Sequence, residues 1–277
     1  MSAAPAAVGR PPAAAAQQPA TPSHPVRALT RHNLRLMLGD PGPIIIYLAI
    51  PVLSMLVMRP TQQTILRDEG FPGANGSEQV VPGFLVMFLF LWTITIGRAF
   101  FVEHGWGTWE RLRASRVNIG QVLIGKLVPG FLLIMAQIVL TMVLGWLLFG
   151  LHSKGPILVL VLVAVPLATC VLALTAMLVA VSGTYAQLEA GGNMFMIVFA
   201  AVGGALTPVA VLPSTVQDIA PALPSYWALQ PARDVILKGD GISAVLGPAA
   251  VLTLFTLLFG IIAIARFNSA ESKSIEI

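Results

Sequence analysis

Long apolar runs separated by short polar segments set the pattern of this chain. A helix needs roughly 20 residues to cross a hydrocarbon core of about 30 Å. On that measure the pattern predicts six spans: Pro43–Met58, Val80–Val102, Val122–Leu151, Pro156–Ser182, Gly191–Leu212 and Ile242–Ala265. The first is short and carries Pro51. Ahead of them the period changes. Between Val26 and Leu38, Arg27, Arg31 and Arg35 recur at i, i+4 and i+8, which places them on one helical face, with Val26, Leu29, Leu36 and Met37 elsewhere. Gly39 and the following Asp40-Pro41-Gly42-Pro43 stop this helix. The expectation is an amphipathic helix at the lipid interface, its arginines reaching anionic headgroups.

Residues 1–25 are rich in Pro and Ala, lack periodicity and have no apolar centre of the kind a signal peptide needs. They read as a disordered tail that stays in the cytoplasm. The expected organisation is therefore a tail over 1–25, an interface helix over 26–40, a six-span unit over 43–265 and a second cytoplasmic tail over 266–277.

Composition supports a membrane reading. Of 277 residues, 56% are hydrophobic and 10% charged, against about 25% charged in a soluble domain, and the mean hydropathy is +0.84. The fold class expected is an all-α polytopic membrane protein. A net charge of +4 does not point to nucleic acid, because the bases sit at span ends without interleaved aromatics. Cys170 is the lone cysteine and lies inside an apolar span, so neither a disulfide framework nor a metal site follows from it; it reads as a small core residue.

The distribution of charge sets the orientation. Of 16 Lys and Arg residues, 11 fall in the tail, the interface helix, the 98–126 segment and the C-terminus. Arg59, Arg67, Lys154, Arg233 and Lys238 fall in the opposite loops. The positive-inside rule places both termini and the 98–126 segment in the cytoplasm of a multi-pass protein of the cell membrane. Arg98 and Lys126 stand close enough to span ends to snorkel. No Asp or Glu occupies the middle of a span, which counts against a transporter driven by an ion gradient through an intramembrane relay.

Within RAFFVEHGWGTWERLRASRVNIGQVLIGK (residues 98–126), Thr108 is available as an N-cap and Glu110 stands in the first turn, where the helix dipole favours an anion. The arrangement Glu103-x-x-x-Gly107-Thr108-x-Glu110-x-Leu112, followed by Gly125-Lys126 at the entry to the next span, resembles the cytoplasmic loop of type 2 ABC exporter permeases, the family of the daunorubicin-resistance and nodulation-type exporters. RHNLRLMLGDP before the first span is similar to the same family. Gly105 and Arg116 depart from its pattern, standing where an acid and a proline are common. The resemblance implies that Glu103, Gly107, Thr108, Glu110 and Leu112 form a coupling helix that docks on an ATPase subunit. It implies two six-span permeases, identical or homologous, and two separate ATPase subunits that bind ATP and Mg.

This chain is expected to bind no cofactor and to be no enzyme. Gly120-Gln-Val-Leu-Ile-Gly125-Lys126-Leu127 narrowly misses the phosphate-binding loop, with Leu127 in place of the hydroxyl that would hold magnesium.

The second informative region runs from Gly203 to Gly239. Ser214-Thr-Val-Gln217 matches a capping box, and Pro221 ends the short helix it predicts. After Pro224 a second short element carries Arg233 and ends at Gly239. Proline-broken apolar half-helices beside a membrane read as re-entrant or interfacial elements buried within protein. The order Pro208, Pro213, Pro224, Arg233 resembles the family's external half-helices, which close the outer end of the translocation path. Tyr226 and Trp227 suit an interface belt, Trp92 reads as packing, Gln137 and Asn193 as interhelical hydrogen-bonding groups, and His152 as solvated. The expected function is export of a hydrophobic drug-like or lipid-like molecule by alternating access. The alternatives are export of a lipid-linked glycan and ion-gradient-driven secondary transport.

Overall fold

The computed structural model describes residues 25–105 and 119–266. The chain forms ten α-helices over these residues: α1 (Pro25–Gly39), α2 (Pro41–Asp68), α3 (Ser77–Leu89), α4 (Trp92–Gly105), α5 (Ile119–Phe149), α6 (Ile157–Val181), α7 (Tyr185–Val202), α8 (Ser214–Ile219), α9 (Pro224–Lys238) and α10 (Ile242–Arg266). Five stretches are long and apolar enough to cross a membrane: Pro41–Asp68, Ser77–Val102, Leu123–Phe149, Ile157–Val181 and Ile242–Arg266. The chain is an all-α polytopic membrane protein. The expected count of six spans is not reached on length and composition among the described residues, because the helix in the fifth position, α7, has a polar first half that dilutes its hydropathy.

The helices are layered around span two. Its most apolar window is 83% buried, against 11% for α2 and 17% for α10, so span two is the axis and α2 the outermost helix. Helices α7 and α9 pack on α3, α6 and α7 pack on α4, α5 touches both halves, and α10 lies along α6. Phe90, Ile96, Phe100 and Phe101 of span two are fully buried in the main core.

Span two is broken, which the sequence did not disclose. The α3 helix ends at Leu89 and α4 begins at Trp92, and the intervening amides make three-residue bonds: Phe90 N–H to Met87 O, Leu91 N–H to Phe88 O, Thr93 N–H to Phe90 O. Hydroxyl donors replace part of the lost ladder. Thr93 Oγ1 donates to Phe90 O, and the Tyr47 phenol donates to Leu91 O at 3.3 Å. A helix can break inside apolar surroundings only where such groups satisfy its backbone.

Three other boundaries differ from expectation. The first span does not stop at Met58: α2 continues to Asp68 through Pro60, because Met55, Gln62 and Leu66 keep one face buried along its length. The fifth helix lies at Tyr185–Val202 rather than Gly191–Leu212. Thr184 starts it early by accepting from Gln187 N–H, the Gln187 side chain accepts from Gly183 N–H at 2.9 Å, and Gly204, in the left-handed region at φ 92°, turns the chain just after its end. The predicted capping box at Ser214 does not form. Pro213 is the residue before α8 and offers no side-chain cap, while the Gln217 amide donates to Ala210 O and Leu212 O instead. Pro231 leaves α9 unbroken from Pro224 to Lys238, and Gly239 closes it at φ 85°.

Helix α1 keeps its arginine face exposed as predicted. Part of its other side packs on protein, while Leu36 and Leu38 stay exposed. Asn33 Nδ2 donates to Leu29 O at 3.0 Å and to Gly125 O at 3.4 Å. Leu29 occupies the space beside Gly125, where an added Cβ would lie 2.7 Å from the Leu29 Cβ.

Candidate functional site

Two polar groupings mark the two ends of the bundle, and a half-covered strip of span two runs from mid-depth to one of them. The end carrying α1, Arg98, Lys126 and Arg266 is the basic end; the loops between α2 and α3 and between α7 and α10 form the far end.

At the far end, side chains of α2 and α3 hold the 203–208 turn. Gln62 Nε2 donates to Leu206 O at 2.6 Å and Gln79 Nε2 to Gly204 O at 2.9 Å. The backbones approach so closely that a Cβ on Gly83 would lie 2.2 Å from Ala205 O. Of the four residues expected here, Pro208 and Pro224 are buried, Pro213 is exposed, and Arg233 is 7% exposed on α9. Arg233 is brought to Glu69, just past the end of α2, with Nη2 to Oε2 at 2.8 Å. Backbone bonds from Lys154 N–H to Ile236 O and Gly155 N–H to Val235 O fasten α9 to the α5–α6 turn. Trp227 and Tyr226 are half-buried, the indole donating to Pro221 O. His152 is exposed, with its Nδ1 2.8 Å from Gly150 O.

Along span two, Leu91, Thr95, Ala99 and Val102 are only half-covered and Arg98 is exposed. Their spacing places them on one face of α4. Helix α2 borders this strip through Tyr47, whose hydroxyl meets Thr95 Oγ1 at 2.7 Å. Helix α7 borders the other side. Leu188 fits against Gly97, where a Cβ would lie 2.6 Å from Leu188 Cδ2, and the Phe101 and Tyr185 rings meet edge-on at 6.3 Å. The result is a furrow with span two as floor and α2 and α7 as walls. At its basic end stand Arg98, next to Gly97, and Glu189, next to Leu188; both are exposed. Neither makes a hydrogen bond or ion pair with another described residue.

A buried network braces the furrow from behind. Trp92 Nε1 donates to Gln137 Oε1, Gln137 Nε2 donates to Tyr47 O at 3.0 Å, and the Tyr47 and Trp92 rings stack edge-on at 5.3 Å. Gln137 thus acts as the interhelical hydrogen-bonding group expected of it, and Trp92 as packing.

At the basic end Lys126 does not snorkel. It is 1% exposed, donates to Ala99 O at 2.8 Å and lies 4.3 Å from the centre of the Phe100 ring. The run that nearly matched a phosphate loop lies in the first turns of α5, which begins at Ile119. Arg27, Arg31 and Arg35 are exposed on α1. Of the coupling residues, Glu103 falls in the last turn of α4, and Gly107, Thr108, Glu110 and Leu112 lie outside the described residues.

Two apolar crevices open between α5 and α6. One of about 310 Å³ lies toward the far end over α3 and α9, with Leu85, Met142 and Ile236 in its lining. The other, of about 570 Å³, lies toward the basic end over α4 and α10, with Phe100, Ala176 and Gly260 in its lining.

Comparison with known proteins resolves the class of this architecture. The profile of the ABC-2 type transporter family matches residues 24–237. The chain belongs to the ABC-2 type transporter family. It is 27% identical over 198 residues to the linearmycin resistance permease protein LnrN of Bacillus subtilis (strain 168), a match covering 72% of this chain and 51% of that protein. The chain thus spans about half the length of the relative it matches. The family match takes in α1, both halves of span two and the far-end half-helices up to Leu237. The furrow and the Glu69–Arg233 pair were not singled out from sequence, although Arg98 and Arg233 were each noted there. Glu69 and Gln62 sat in what looked like a loop, and Glu189 stood outside the predicted fifth span.

Proposed function

We propose that this chain is the membrane-spanning subunit of an ABC exporter in the cell membrane, with both termini cytoplasmic. Two copies, or one copy and a homologue, face each other across the furrow, and a separate ATPase docks at the basic end. The furrow carries this reading. Arg98, in the last turn of span two, reaches the aqueous interface, and the half-covered face of α4 that runs inward from it is the surface a facing copy would cover. A second copy laid over α2 and α7 encloses the furrow, while the apolar walls suit a hydrophobic or amphipathic cargo. The far-end elements held by Gln62, Gln79 and Arg233 close it on the outside. The kinship with a resistance permease supports a toxic amphiphile as cargo.

In this scheme the segment from Glu103 to Leu112 couples ATP use to the rocking of the two copies, with Glu110 its main polar contact and Leu112 its apolar anchor. Lys126 and Asn33 stitch α4, α5 and α1 into one body on either side of that segment. ATP and Mg belong to the ATPase. The test is substrate-stimulated ATP turnover of the co-purified permease and ATPase at matched expression. Glu110→Lys and Leu112→Ala should each lower assembly and stimulation severalfold, with Glu110→Lys the worse because it adds like-charge repulsion. Full assembly and stimulation by both variants would overturn the coupling role. Export requires both subunits in proteoliposomes, and transport by the permease alone would refute the scheme.

A further inference from the structure

The two opposite charges at the basic end of the furrow specify the kind of molecule it takes. Arg98 and Glu189 project from adjacent points of α4 and α7, one residue beyond the tight Gly97–Leu188 contact. Both are exposed and neither is paired among the described residues. Tyr185 lies within the field of both, and Tyr47, across the furrow on α2, within that of Glu189. The two tyrosines are half-buried. Beyond this polar mouth the floor becomes apolar at half-covered Leu91, and the flanking helices carry exposed apolar residues, Ile50 and Leu53 on α2 and Met194 and Ile197 on α7.

A ligand bearing only one charge would leave the other protein charge facing its tail, and an unpaired charge against apolar surface is expensive. A ligand with both charges at one end and a chain at the other satisfies both groups and lays its chain along the apolar walls.

We propose that the mouth formed by Arg98, Glu189, Tyr47 and Tyr185 binds a single-chain zwitterionic amphiphile, Glu189 taking its cationic group and Arg98 its anionic group. This rests on the exporter reading for the direction of movement but not for the recognition itself. The binding is electrostatic and hydrophobic, with no covalent step.

The probes are three molecules of similar chain length: 2-aminododecanoic acid, dodecylamine and dodecanoic acid. Binding is measured to the full chain in maltoside micelles, which carry neither charge. The zwitterion should bind at least about tenfold tighter than either singly charged probe, one satisfied charge–charge contact being the difference. Arg98→Gln should erase its advantage over dodecylamine, and Glu189→Gln its advantage over dodecanoic acid. The exchanged variant Arg98→Glu/Glu189→Arg should keep the preference for the zwitterion, which separates charge recognition from damage to the fold.

Equal binding of all three probes, or a preference that survives both single variants, would overturn the proposal. So would displacement of 2-aminododecanoic acid by phosphatidylethanolamine mixed into the micelles, which would make a membrane lipid the occupant. If the probe binds as stated but ATP does not move it in proteoliposomes with the ATPase, the recognition stands and the exporter reading fails.

Discussion

Separating Glu69 from Arg233 should loosen the far end of the bundle by an amount the geometry sets. The pair joins the end of α2 to α9 at 2.8 Å, and the two side chains keep 14% and 8% of their surface. Removing one member of a buried pair costs about 3–5 kcal/mol, because the other charge is left without a partner. Glu69 retains some contact with water and the link is a single bond, so the lower figure of about 3 kcal/mol applies here. At about 1.4 kcal/mol per factor of ten, that raises the population with α9 detached roughly 100-fold.

Ala228, 2% exposed on α9, reports this opening. In a Cys170→Ala background, Ala228→Cys should react with an impermeant thiol reagent about 100-fold faster once Arg233→Met or Glu69→Gln is added, since labelling follows the open fraction. Replacing both charges, as Glu69→Leu/Arg233→Met, leaves no stranded ion and should return the rate to within about tenfold of the parent. Single variants that label within threefold of the parent, or a double variant no better than the worse single, would show that the pair does not hold α9 down.

Trp92→Phe leaves the Gln137 carbonyl without its donor and should lower the unfolding free energy by about 1–3 kcal/mol, as read by thermal unfolding in micelles. Gly125→Leu would drive a side chain into Leu29 and cost about 1–3 kcal/mol of packing. Its mark should be faster thiol labelling of Asn33→Cys, which the α1–α5 contact otherwise shields.

What the sequence disclosed follows from period and length. Apolar runs located α6 and α10 to within one residue at each end and α5 to within three, although α5 carries Lys126. The Arg27, Arg31, Arg35 spacing located α1, and the Pro224 to Gly239 punctuation located α9. The errors arise where tertiary contacts overrule local signals. Pro60 and the polar residues after it look like a loop until Gln62 and Leu66 are seen buried against the far end. A polar first half hid α7, since Gln187, Glu189 and Asn193 dilute its hydropathy. Nothing local announced the break in span two, because Phe90 and Leu91 are as apolar as their neighbours; it depends on Tyr47 and Thr93 supplying hydroxyl donors. The furrow was invisible for a related reason. Arg98 and Glu189 lie far apart in sequence, and only the Gly97–Leu188 contact brings them to one place.

The broken axis helix has a mechanical consequence. A continuous helix of this length transmits a push from one end to the other almost undiminished. Here the ladder is interrupted at mid-depth, and Phe90 O and Leu91 O accept side-chain hydroxyls there. The two arms can therefore change their mutual angle without exposing a bare carbonyl to hydrocarbon. The lower arm is tied through Ala99 to Lys126, the upper arm through Gln79 to the 203–208 turn. A tilt imposed below thus reaches the upper arm as a rotation about an articulated joint rather than as a thrust along a rod.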